Sequence, residues 1–80
     1  MKVKKVLSVL DYETHIVAEP LTESEALLKL LRYEGRLGDM PYETYDAIKN
    51  ADIVEAATVD NSGVSFWFSV DSFLPKGVDQ

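Results

Sequence analysis

Residues 64–70 alternate Val64, Ser65, Phe66, Trp67, Phe68, Ser69, Val70, and successive side chains of a strand point to opposite sides of the sheet. Val64, Phe66, Phe68 and Val70 therefore share one face, and Ser65, Trp67 and Ser69 share the other. The first face is core. The second carries a tryptophan that a short chain has little material to cover.

The pattern upstream supplies the rest of the elements. Residues 3–10 are rich in valine and leucine and read as a strand, although Lys5 and Ser8 break the alternation by falling on opposite faces. A turn over residues 11–14 leads to a short return strand at 15–19, which Pro20 ends. Thr22 and Glu25 have the spacing of a capping box, and Leu27, Leu30 and Leu31, with Leu28 on their flank, make an apolar stripe. This predicts a helix over 23–34, stopped by Gly35 in a left-handed conformation. Residues 36–40 read as a loop. Pro41 then opens a shorter helix in which Tyr42, Tyr45 and Ile48 recur at threefold spacing. Residues 53–59 form a third strand, and 60–63 form a turn into the fourth.

The order strand, strand, helix, helix, strand, strand implies an α+β fold: a four-stranded antiparallel sheet with helices packed on one face. One domain is expected over 1–74, with 75–80 as a flexible tail and Phe73 and Leu74 as its last anchors.

Composition sets limits on this picture. A chain of 80 residues buries only about 60–65% of its unfolded surface, too little for a deep cleft with its own walls. Apolar residues at 46% and charged ones at 28% are ordinary globular usage. There is no cysteine, which removes disulfides, thiolate metal sites and cysteine nucleophiles together. Lys2, Lys4 and Lys5 precede an apolar run that Asp11 cuts short of a signal peptide. No window approaches the roughly 18 apolar residues of a membrane span. The expectation is a cytoplasmic chain without membrane contact.

The net charge of −6 is concentrated in one stretch. Asp39, Glu43, Asp46, Asp52, Glu55 and Asp60 face Lys49 alone, whereas residues 1–38 are balanced. Such a segment repels phosphate backbones and attracts basic protein surfaces, which argues against direct nucleic-acid binding.

A three-residue loop at 61–63 would pair Thr58 with Phe66 and place Ala57 opposite the indole, with Ile53, Glu55 and Val59 on the same face. The alternative register puts Glu55 against Phe68 in the core and is rejected, because a carboxylate there would be desolvated. The outer face, Ile53, Ala57, Val59 and Trp67 with Ser65 and Ser69, is too apolar for a wall facing water. Either the chain's own second helix, tail or N-terminal hairpin covers it, or a protein partner or second copy does, with Trp67 as anchor, or the ring stands exposed alone.

Asp39, Glu43 and Asp46 at i, i+4 and i+7 would line one helix face, as a solvated surface or as an acidic stripe for a basic groove. Asp11, Glu13 and His15 alternate but lack a fourth metal ligand. His15 is the only histidine, no serine is flanked by glycines in an elbow, and the four glycines make no phosphate loop. No catalytic site, cofactor or metal centre is expected. The function expected is that of a small acidic interaction module, binding a protein with a basic or apolar surface, or itself as a homodimer. The alternatives are a small-molecule or metal-binding domain built on Tyr42, Tyr45 and Trp67 or on the 11–15 turn, and a structural subunit of a larger assembly. In its short, cysteine-free, acidic character the chain is similar to accessory and inhibitor proteins of bacteriophages and other mobile elements.

Overall fold

The structure, a computed structural model, describes residues 1–59 and 63–70, the side chains of Thr58 and Val59 excepted. Its elements are α1 (Val3–Ser8), β1 (His15–Leu21), α2 (Glu25–Leu31), β2 (Tyr33–Arg36), a 3-10 turn (Leu37–Asp39), α3 (Tyr42–Ile48), β3 (Asp52–Val59) and β4 (Gly63–Ser69). The fold is α+β, with a four-stranded sheet in the order β2-β1-β4-β3. The sheet is mixed rather than fully antiparallel: β1 pairs antiparallel with β2 and β3 with β4, but the two inner strands, β1 and β4, run parallel. The expected turn at 60–63, apart from Gly63, and the segment 71–80 with Phe73 and Leu74 lie outside the described residues.

Residues 3–10 depart most from expectation, because they begin with a helix and not a strand. Val3, Val6, Leu7 and Leu10 fall at i, i+3, i+4 and i+7, the stripe of a helix, and Val3 and Leu7 are buried while Val9 is 78% exposed. Amides of the first turn have no partner inside a helix. Here Val3 N–H donates to the Ala51 carbonyl and Lys4 N–H to that of Lys49, each at 2.9 Å. The link between α3 and β3 therefore caps α1 from outside.

The second departure is at residues 32–36. The leucine helix ends at Leu31, and Arg32 is already extended, so that Tyr33–Arg36 can pair with β1, where Ala18 meets Tyr33 and Ile16 meets Gly35. Without this short strand β1 would leave a row of backbone donors and acceptors open at the sheet edge. Gly35 lies at φ +153° inside β2 rather than as a helix stop. A Cβ there would come within 2.8 Å of the Tyr33 hydroxyl oxygen. Tyr33 hydroxyl donates to the Arg36 carbonyl at 2.6 Å, and partial burial raises its pKa above the ordinary tyrosine range.

The cap of α2 also lies two residues beyond the predicted one. Ser24 Oγ accepts from Leu27 N–H at 3.2 Å, and Thr22 Oγ accepts from Ser24 N–H at 3.1 Å. Thr22 thus shapes the approach and Ser24 caps the helix. Of the predicted stripe only Leu31 is buried; Leu27 packs against the core, and Leu30 is 71% exposed. Ser24→Ala should cost about 1 kcal/mol, read as a lower urea midpoint at unchanged slope, whereas Thr22→Ala should cost less. Equal losses would count against this assignment.

All three helices pack on one side of the sheet. Val3, Leu7, Leu31 and Ile48 meet Ile16, Ala18, Phe66 and Phe68 in one buried cluster, with the phenylalanine rings 6.4 Å apart and tilted at 52°. No buried side-chain polar atom lacks a partner among the described residues. Nor is any described helix long and apolar enough to cross a membrane.

Candidate functional site

The other side of the sheet carries Trp67. Strand register fixes its neighbours: Glu19 of β1 lies beside it on one flank and Glu55 of β3 on the other. The predicted register is off by two residues, so Ala57 stands opposite Ser65 and not opposite the indole. A slip of two conserves faces, and Ala57 and Glu55 are on the tryptophan side as expected. Ile53 is not. A bulge between Ile53 and Glu55 leaves Val54 as the extra residue, and Ile53 pairs with Phe68 and packs against the core. In a regular strand Ile53 and Glu55 would share a face; the bulge sends the isoleucine inward and the carboxylate outward. Val59 pairs with Gly63, but its side chain lies outside the described residues.

Trp67 is half-buried, as are Ser65, Ser69, Val17 and Glu19 around it, and Glu55 and Ala57 are exposed. The indole Nε1 donates to Glu19 Oε1 at 3.1 Å, while Glu19 Oε2 accepts from Arg32 Nε at 2.9 Å. Arg32 also donates through Nη2 to Glu34 Oε1 at 3.0 Å. These hydrogen bonds, to Glu19 first and then to Glu34, raise the guanidinium pKa above its ordinary value. Glu19 has both oxygens engaged, and its contact with Nε1 fixes one edge of the half-buried indole. Glu55, on the other flank, makes no ion pair among the described residues. Glu19 and Glu55 could be singled out from the sequence only through the correct register.

The acidic stripe is not one helix face. Asp39 closes the 3-10 turn, and Pro41, extended at φ −61° and ψ 144°, separates it from α3. Arg36 Nε donates to Asp39 Oδ2 at 3.1 Å, and Arg36 Nη1 to Glu13 Oε1 at 3.1 Å. Asp46 pairs with Lys49 Nζ at 2.7 Å, and that contact holds its carboxyl below the usual range. Glu43 is exposed in the first turn of α3. Two of the three charges are thus met by the chain's own cations.

Asp11, Glu13 and His15 do not converge. Asp11 Oδ1 accepts from Glu13 N–H at 3.1 Å, Glu13 faces Arg36, and His15 Nε2 lies 3.8 Å from Glu34. Among the described residues no group of three such side chains could hold a metal ion. Tyr42 and Tyr45 stand together, ring centres 6.3 Å apart, and line a concavity to which no strand contributes. Trp67 is on the other side of the sheet and takes no part in it. No family model, no curated protein and no solved structure matches this chain.

Proposed function

We propose that this chain is a small non-enzymatic interaction module that docks a protein with a basic surface on the open side of its sheet. The observation that carries this reading is the cross-strand row Glu19, Trp67, Glu55 on a sheet face that no described helix covers. An indole face attracts a guanidinium or ammonium group through its quadrupole. A carboxylate one strand away, about 5 Å across the sheet, adds a charge-assisted hydrogen bond. Glu19 is spent on Arg32 and on the indole N–H, so Glu55 is the carboxylate left for an incoming cation. The overall charge of −6 steers basic surfaces toward the molecule and repels acidic ones, including a second copy of itself.

A short arginine-bearing peptide is the probe, titrated while indole fluorescence and backbone amide shifts are followed. Saturable quenching is expected, with shifts centred on Trp67, Glu55 and Ser65. Glu55→Lys should weaken binding tenfold or more, because it replaces the attracting charge by a repelling one. A citrulline peptide that binds equally well would sink the reading. So would a wild-type mass by sedimentation that doubles at micromolar concentration through this same face, since the occupant would then be another copy.

A further inference from the structure

We infer that the concavity between α1 and α3 is a binding site for a small amphipathic anion, with an apolar body of roughly eight to ten carbons and one carboxylate-like head. Its volume is about 550 Å³, within the range of small-molecule sites. Leu7, Leu10, Leu37 and Met40 line it with apolar side chains, and Tyr12 and Tyr45 are among its aromatic ones. Backbone holds the Leu37–Gly38 segment in place: Leu37 N–H donates to the Thr14 carbonyl and Gly38 N–H to that of Tyr12, both at 2.9 Å. A Cβ on Gly38 would sit 3.2 Å from Tyr12 Cβ, so a side chain there would require the two segments to part by a few tenths of an ångström.

Charge decides the head group. Lys4 lines the concavity and has no carboxylate within ion-pair distance among the described residues. Of the acids on the neighbouring elements, Asp46 is paired with Lys49 and Asp39 with Arg36, while Glu43, exposed in the first turn of α3, is not among the residues that line the concavity. An otherwise acidic molecule therefore presents, at this hollow, a cation without an ion-pair partner among the described residues. A neutral apolar ligand would leave that ammonium unanswered, and an anionic one supplies a charge-assisted hydrogen bond to it. The site is on the helical side, independent of the Trp67 face.

Octanoate and 1-octanol are the probes, titrated against the full chain by calorimetry and by amide shifts. Octanoate is expected to bind saturably, shifting Leu7, Leu10 and Tyr45 and leaving Trp67 unmoved. Lys4→Gln should weaken octanoate about tenfold while leaving 1-octanol unchanged. Lys5→Gln, on the same helix but outside the concavity, should change neither. The inference is overturned by absence of saturable octanoate binding, by equal affinity for the alcohol, or by equal losses in the two lysine variants.

Discussion

Phe66→Ala is expected to be strongly destabilising, removing about 3–5 kcal/mol from the fold. Phe66 is fully buried at the middle of β4, and its cross-strand neighbours are Ala18 on one side and Ala56 on the other. Neither alanine can extend into the space that a lost ring would leave. Truncating a buried phenylalanine costs about 3–5 kcal/mol, and the cost rises as the surroundings fail to collapse. A chain of this size has about 4–12 kcal/mol in all, so the loss runs from about a quarter of it to the whole. Chemical denaturation followed by circular dichroism measures this directly. Phe66→Leu, which keeps most of the volume, should remain folded with a lower midpoint. A Phe66→Ala midpoint close to that of the wild type would mean that the core is not centred on this ring.

Trp67→Ala, one residue along, is expected to do the opposite: keep the fold and lose the partner. The indole is half-buried on the far side of the sheet, and its removal costs one hydrogen bond to Glu19 and some apolar cover, not a sealed cavity. The far-ultraviolet spectrum should be unchanged and the melting temperature only several degrees lower, on the order of 1–2 kcal/mol. Binding of the arginine peptide should fall about thirtyfold or more, the loss of 2 kcal/mol or above that marks an anchoring aromatic. Trp67→Phe should fall between, since it retains an aromatic face but lacks the N–H that Glu19 fixes. If Trp67→Ala is destabilised as much as Phe66→Ala, the ring is structural and the docking surface must be sought elsewhere.

The contrast between these two neighbours was legible from alternation alone, because period two in residues 64–70 assigns the faces without any knowledge of strand order. Element type was legible wherever one periodicity dominated, as in α3 and in the leucine helix, although that helix ends at Leu31, short of the expected stop at Gly35. It was misread in residues 3–10, where β-favouring valines mask a helical stripe, and the spacing of Val3, Val6, Leu7 and Leu10 was the stronger signal. It was misread again at Tyr33–Arg36, where helix propensity continues but an unpaired edge of β1 recruits the backbone into the sheet. No local pattern reports such a demand. The candidate site was half legible: Trp67 and its face follow from alternation, but Glu19 becomes its neighbour only through the parallel pairing of β1 with β4, and Glu55 only through a hairpin register two residues from the expected one. Neither is reported by a local pattern. The single helix face expected for Asp39, Glu43 and Asp46 does not form for a related reason, since Arg36 pairs with Asp39 and Pro41 separates it from α3.

The parallel union of the inner strands also bears on how the molecule is made. Glu19 and Trp67 are 48 positions apart in the chain, and closing so long a span must precede the reward of the contacts it brings. While a ribosome is still translating the segment between them, Ile16 and Ala18 have no phenylalanines to pack on, and the half-made chain offers a sticky ribbon of β1 and β2 to its surroundings. Assembly therefore waits for β4, which enters between two pieces already synthesised and locks both at once.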